Sequence, residues 1–332
     1  MHAIRLHAFG PAENLVHERT EDPAPGPGQV RIAVAAAGVH LLDTVLREGM
    51  QGPFPAPTEL PTIPGREVAG TVDALGEGTD PDWLGRKVVV HLGTAPGGYA
   101  ELAVADAARL HAIPVGLDEA EAVAMIGTGR TAMGILQFTD LGPDDIAIVP
   151  AAAGGIGTLL VQYTKNAGGY VVGLAGGPEK VARVAANGAD IAVDYNQDNW
   201  ATQVRDHLGG RRATVVFDSV GGATARAAVD LLGKGGKHIV FGWSAEGLHN
   251  GSPLTFTAEE LTERGITSEG VLGPVMLQRA GGDIRVLEER SLAEAASGRL
   301  RPAIQRFPLT EAAAAHHALE TRATMGKVVL IP

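Results

Sequence analysis

The sequence predicts an α/β protein in which a β-rich first part precedes a doubly wound parallel sheet. Up to about Leu117, short β-branched runs sit between proline- and glycine-rich turns. From about Pro143, strand-like runs alternate with helical segments. The length of 332 residues is too great for one small core and fits two domains.

In the first part "QVRIAVAAAGV" and "REVAGTVDAL" read as strands, and "GRKVVVHL" as a short buried one. "EDPAPGPGQ" and "GPFPAPTELPTIPG" are connections in which proline forbids helix. In the second part the strands are "DDIAIVP", "YVVGL", "DIAVDY", "ATVVFDSV" and "KHIVFG". Between them run "IGTLLVQYTKNAG", "PEKVARVAANG", "DNWATQVRDHLGG" and "GATARAAVDLLGKGG". Pro178 suits a first helical turn, Asp198 can cap the next helix, and Gly188 and Gly209 can end theirs. Five strands joined through helices require parallel pairing with right-handed crossovers.

The stretch "AAAGGIG" follows the first of these strands and opens the first helix. Ala152-x-Gly154-Gly155-x-Gly157 is the G-x-G-x-x-G dinucleotide fingerprint with alanine first. Gly154 lets backbone approach a pyrophosphate, Gly157 lets helix and strand pack closely, and the helix start supplies N–H groups and partial positive charge. The alternative is a glycine-rich turn without a ligand; the five alternating strands around it favour binding. An NAD site usually places Asp or Glu at the end of the second strand. Here that strand runs into Gly173, Leu174, Ala175 and Gly176, with Lys180 just beyond. No acid at the strand end repels a 2′-phosphate, and Glu179, next to Lys180 on a helix, would face elsewhere, so NADPH is favoured, the alternative for Lys180 being a solvated helix lysine.

Bulk properties exclude other classes. The formal net charge is -11, and no basic cluster exceeds Arg211-Arg212, which argues against nucleic acid. There are no cysteines, so disulfides, thiolate zinc sites and a cysteine nucleophile are absent. The opening residues lack the long apolar segment of a signal peptide and no window is apolar enough to span a membrane, so a cytoplasmic protein is expected.

Taken together, "AAAGVHLLDTVLREG", "LPTIPGREVAGTVDALGEG", "GGYAEL", "GTGRTA", "AAAGGIG", "GADIAVDY", "VVFDSVGG" and "LETRATMGKVVLIP" resemble the zinc-free, zeta-crystallin-like quinone oxidoreductases of the medium-chain dehydrogenase/reductase superfamily. The resemblance covers essentially the whole chain. It implies a GroES-like β-rich domain formed by residues 1–122 and 274–332, and a Rossmann NADPH-binding domain at 123–273. It also implies a homodimer that binds NADPH in the cleft between its two domains. By the same resemblance Gly155 and Ile156 hold the pyrophosphate. Gly176, Lys180 and Tyr195 surround the 2′-phosphate, with Arg322 near the phosphates. Val220, Phe241, Gly242, Trp243 and Ser244 line the adenosine and ribose side, Thr131 and Leu272 approach the nicotinamide, and His40, Leu41, Asp43 and Thr44 face nicotinamide and substrate.

Zinc relatives carry glycine-histidine-glutamate where this chain reads "PGREVAG", and a cysteine upstream. Arg66 replaces that histidine, so no metal is expected. His40, Gln51 and Val45 depart from the asparagine, tyrosine and aromatic residue common in the family, which reshapes the substrate pocket. Met50, Gln51, Phe54, Leu272, Val275, Met276 and Trp243 are the candidate walls for a flat, uncharged, conjugated acceptor, with Met276 favoured as plain packing. His40 is the chemically apt proton donor. The favoured alternative is a histidine hydrogen-bonded to Asp43 or backbone. Asp43 reads as a positioner of polar groups and Arg47 as a structural ion-pair partner. The expected activity is hydride transfer from NADPH to a quinone. The rival is reduction of a C=C bond conjugated to a carbonyl, and a third possibility is a cofactor-binding protein with a structural or RNA-binding role.

Overall fold

The structure is a computed structural model that describes residues 1–50, 58–244 and 251–332. The chain opens with strands β1 (His2–Leu6), β2 (Leu15–Arg19) and β3 (Gln29–Val39), then helix α1 (Leu41–Arg47). Strands β4 (Glu67–Leu75), β5 (Lys87–His91), β6 (Leu102–Asp106) and β7 (His111–Ala112) follow, and helix α2 (Glu119–Ala124) continues through a π-helical turn, Met125–Gly129, into α3 (Arg130–Leu136).

An alternating series comes next: β8 (Ile146–Val149), α4 (Gly155–Asn166), β9 (Tyr170–Ala175), α5 (Pro178–Ala186), β10 (Ile191–Asp194), α6 (Trp200–Leu208), β11 (Ala213–Asp218), α7 (Gly222–Val229) and β12 (Leu232–Val240). Beyond residue 250 lie α8 (Ala258–Arg264), β13 (Thr267–Gly270), α9 (Gly273–Arg279), α10 (Ile284–Ala296), β14 (Ile304–Pro308), α11 (Ala312–Glu320) and β15 (Lys327–Ile331).

The chain forms two compact units, Met1–Gly129 with Ser291–Ala296 and Pro302–Pro332, and Arg130–Arg290 with Ser297–Arg301. In the first, the described residues form a seven-stranded sheet ordered β14-β15-β3-β4-β5-β7, with β6 paired to β3. Along β3 the sequence alternates, so Val30, Ile32 and Val34 point into the core while Arg31 and Ala33 do not. From Ala36 to Val39 every residue is buried, and small side chains replace the large apolar ones there. The C-terminal segment re-enters this unit because β15 pairs antiparallel with β3, Val328 opposite Val39.

The second unit contains a six-stranded sheet, all parallel, ordered β10-β9-β8-β11-β12-β13. The order reverses between β8 and β11, and ligands of such sheets bind outside the carboxyl ends of the strands at that switch point. The five strands and four helices expected between Pro143 and Gly242 all form. Pro178 opens α5 and Gly209 ends α6 in the left-handed conformation, φ 58°. Two details differ. The N-cap of α6 is Asn199, not Asp198. A sixth strand, β13, carries the polar sequence Thr-Ser-Glu-Gly, which has no apolar run because the strand forms the sheet edge and is mostly exposed.

The units also divide elsewhere than at residues 123 and 273. Helix α9 belongs to the second unit, where Met276 packs so closely on Gly134 of α3 that a Cβ there would lie 2.4 Å from its sulfur.

Candidate active site

In the second unit the turn after β8 is built for close approach. Ala151 takes a left-handed φ of 50°, which swings the chain back over the strand. A Cβ on Gly157 would lie 2.4 Å from the Ala151 carbonyl oxygen and 2.7 Å from Ala152 Cα, so only glycine lets α4 start this near the turn. At Gly154 the clearance is larger, 3.2 Å to the same oxygen. Gly154 is the N-cap of α4, makes no side-chain cap, and the first turn of this 12-residue helix holds no acid. Its leading N–H groups and the helix dipole therefore face the switch point without an internal anion, which fits a pyrophosphate.

The neighbouring carboxyl ends bring other expected residues to the same edge of the sheet. Past β9, a Cβ on Gly176 would sit 3.3 Å from the Tyr195 hydroxyl and 3.2 Å from Asn196 Nδ2. Lys180 stands half-buried in the first turn of α5. Asp194 ends β10, and its Oδ1 accepts from the N–H groups of Gly177 and Asn196, both at 3.0 Å. Past β11, Asp218 Oδ1 accepts from Val220 and Gly221 N–H at 2.9 Å, which fixes the turn carrying Val220. Past β12, Phe241 N–H donates to the Asp218 carbonyl and Ser244 N–H to the Ser219 carbonyl. Phe241, Gly242, Trp243 and Ser244 are all half-buried here. Leu272 is the exposed N-cap residue of α9, Val275 is exposed on the same helix, Met276 is buried, and Thr131 is half-buried on α3.

The remaining expected residues lie in the first unit: His40, Leu41, Asp43, Thr44, Met50 and Arg322. Arg322 is exposed after α11 with φ 57°. Met50 is exposed, Leu41 half-buried, and Thr44 fully buried with its hydroxyl donating to the Leu41 carbonyl at 2.7 Å. Gln51 and Phe54 lie outside the described residues.

The sheet register explains what surrounds His40. Val328 pairs with Val39, so Lys327 falls opposite His40. Val68 pairs with Ala37, so Glu67 falls beside Gly38. Glu67 Oε1 lies 2.5 Å from His40 Nε2, and Lys327 Nζ lies 3.0 Å from Glu67 Oε2 and 2.9 Å from His40 Nε2. Glu67 has no exposed surface and Lys327 almost none, while the His40 side chain is 30% exposed. Glycines clear the room for the carboxylate, since a Cβ at Gly127 or Gly38 would strike it. Burial alone would push the Glu67 carboxyl up, but the charges of His40 and Lys327 outweigh it and hold the carboxyl well below the usual range.

Asp43 belongs to a different network. Its Oδ2 accepts from the His40 backbone N–H and from the Tyr99 hydroxyl, both at 2.8 Å, and Tyr99 lies 3.2 Å from His316 Nε2. Burial, then the Asp43 carboxylate, push the Tyr99 phenol well above its ordinary value, so it stays a donor. Asp43 and Arg66 both line a cavity of about 460 Å³ together with Leu46, Thr62, Pro64 and Thr94. Arg47 is buried in ion pairs with Glu48 at 2.8 Å and Glu320 at 2.6 Å. Neighbours in sequence, His316 is fully buried and His317 exposed. Among the described residues no three His, Asp or Glu come together as a metal site, and no helix is long and apolar enough to cross a membrane. Glu67, Lys327 and Tyr99 were not picked out from sequence; the only local sign was a charged residue at each of two strand starts.

Residues 26–115 match the alcohol dehydrogenase GroES-like domain, and residues 155–280 the zinc-binding dehydrogenase family. The quinone oxidoreductase of Pseudomonas aeruginosa is 33% identical over 99% of both chains. A 2-haloacrylate reductase of Burkholderia sp. is 31% identical over 99% of this chain and 98% of that one. Among solved structures, an Escherichia coli quinone oxidoreductase complexed with NADPH covers 100% of both chains with a TM-score of 0.83 at 26% identity. An NAD-dependent alcohol dehydrogenase does so with a TM-score of 0.86 at 29% identity.

Proposed function

We propose that this chain, an oxidoreductase that belongs to the quinone oxidoreductase family of the medium-chain dehydrogenase/reductase superfamily, transfers a hydride from NADPH to a quinone without zinc. The observation that carries the cofactor is the uncapped, acid-free start of α4 at the switch point, beside a β9 end without an acid. In this reading Gly154, Gly155, Ile156 and Gly157 hold the pyrophosphate. Gly176, Lys180 and Tyr195 take the 2′-phosphate, and Asp194 is turned to backbone N–H groups instead of a ribose. Of the two solved neighbours described above, one is complexed with NADPH and one is an NAD-dependent enzyme. The residues after β9 favour the first.

NADPH supplies the hydride, and the protein binds, orients and excludes water around it. Arg66 stands where zinc relatives place a histidine ligand, and the chain lacks cysteine altogether. A guanidinium cannot ligate the metal, which supports chemistry without a Lewis acid. Similarity to a 2-haloacrylate reductase supports a second reading, reduction of a C=C bond conjugated to a carbonyl group. Both acceptors are flat and conjugated, and neither needs a metal to polarise an alkoxide.

Steady-state turnover after prolonged chelation decides between them, with NADPH against a quinone panel and against enones and enoyl thioesters. A planar quinone should be reduced at full rate, and small alcohols should not be oxidised with NADP. Faster enone reduction would select the second reading, and zinc-dependent alcohol oxidation would overturn both. A homodimer is proposed with the activity, and RNA binding, the third reading, should show no salt-sensitive gel shift.

A further inference from the structure

His40 opens α1 in a capping box with Asp43, and its Nε2 also faces two buried charges. Asp43 takes the backbone N–H of His40, and the ring itself sits against Glu67 and Lys327. Two full charges of opposite sign thus lie within 3.0 Å of one imidazole nitrogen. They are carried by different strands, Glu67 on β4 and Lys327 on β15. Both are shielded from water while the ring is partly open to it. A buried carboxylate without this counter-charge would be severely destabilising. A Glu67–Lys327 pair alone would satisfy that need, yet the fold also closes both groups on His40.

We propose that Glu67 and Lys327 are positioning residues that set, with opposite sign, the proton affinity of His40, and that His40 supplies the proton of the reduction. The second half rests on the activity proposed above. In that step hydride addition leaves an anion on the acceptor. An N–H bond of the His40 imidazolium breaks, an O–H or C–H bond forms on the anion, and the ring returns to neutral. Water reaches the partly exposed ring and restores its proton. Glu67 and Lys327 exchange no proton with bulk water from their buried positions and act as fixed charges. The carboxylate holds the proton on the ring, and the ammonium favours its release. Set between opposite charges, the ring can hold a proton and give it up in the same cycle.

The other titratable groups around the three are few. His91, opposite Glu67 on β5, adds the weakest of the named attractions to Glu67. Asp43 lies on the backbone side of His40, and Tyr99 stands behind Asp43 as a neutral donor.

Histidine ring signals followed by NMR against pH, with His40 assigned by its loss in His40→Gln, test the electrostatic half without any substrate. Lys327→Met should raise the His40 midpoint and Glu67→Gln should lower it, each by about one to three pH units. The charge-neutral pair Glu67→Gln with Lys327→Met should return it toward the wild type. Midpoints that stay put, or move in the same direction, would overturn the proposal. Should Glu67→Gln fail to fold, the direction of the Lys327→Met shift decides alone.

The pH dependence of kcat tests the other half. The alkaline limb should move upward in Lys327→Met by the same amount as the NMR midpoint. A midpoint that moves while the limb does not would remove His40 as the proton source and leave the charge coupling intact.

Discussion

The two units assemble their site residues by opposite means. In the second, each candidate follows the strand that delivers it: the glycine turn after β8, Gly176 after β9, Val220 after β11 and Trp243 after β12. The parallel order then collects these turns along one edge. In the first, Lys327 and His40 are 287 positions apart and meet through the pairing of β15 with β3. A turn-borne site tolerates adjustment, because its parts are backbone groups at the surface of a sheet. A register-borne site of buried charges does not, because each charge is compensated by only one or two others.

The sharpest way to break this contrast is a single methyl group in each unit. At Gly127 a Cβ would fall on the Glu67 carboxylate itself. At Gly154 it would sit 3.2 Å from one carbonyl oxygen, a contact that a few tenths of an ångström relieves. Gly127→Ala should therefore drive the carboxylate off its cations and destabilise the protein by about 3–5 kcal/mol. Gly154→Ala should cost less than about 1 kcal/mol in stability. Denaturant unfolding of both variants, followed at equilibrium, measures the difference. Equal losses would show that the two sites are not built differently.

Acid sharpens the same contrast. His316, buried against Tyr99, has its pKa lowered from 6.5 to about 4, chiefly by burial, with Arg47 adding and Asp43 opposing. Its folded value lies below its unfolded one, so as pH falls the unfolded chain takes up the proton first. The stability that the neutral ring contributes is complete above about pH 6.5 and is lost as pH falls toward 4, at roughly 1.4 kcal/mol per pH unit. The full loss is about 3 kcal/mol. Thermal unfolding from pH 7 to pH 4 should follow that slope in the wild type and flatten in His316→Gln. A wild type whose Tm is unchanged over this range would mean the ring is not held neutral.

The difference in construction also explains what could be read in advance. Strands and helices from Ile146 to Val240 were legible because each apolar run is bounded by its own glycine, proline or cap, and the dinucleotide turn because its glycines are contiguous. β13 escaped since an edge strand needs no apolar face. Asn199 displaced Asp198 as a cap by one position, within the usual slippage of helix ends. His40 and Asp43 could be singled out only through a family resemblance. Nothing local shows that Asp43 is satisfied by Tyr99, because a hydrogen bond across 56 positions leaves no periodic trace. Glu67 and Lys327 each begin a strand, and only their register relative to Val39 and Ala37 turns two ordinary surface-type residues into buried partners.

The smallest expected effect returns to the turn-borne site and asks whether a residue at its margin matters. Lys180 is half-buried one turn into α5, beside the glycines at the end of β9. Of the acids around it, Glu179 in the same turn is exposed to solvent, and Asp194 spends its Oδ1 on two backbone N–H groups. A charge-assisted contact from Lys180 to a 2′-phosphate contributes about 1.5–3 kcal/mol, roughly ten- to hundredfold in affinity. Lys180→Ala should weaken NADPH by that factor and leave NADH nearly unchanged, because NADH has no phosphate to lose. Titration of intrinsic fluorescence with each cofactor measures both. Stability should hardly move, since a half-buried lysine leaves no buried charge behind, and that separates this margin from the charges around His40. Equal affinity of the wild type for NADPH and NADH would remove the selectivity and, with it, the role of Lys180.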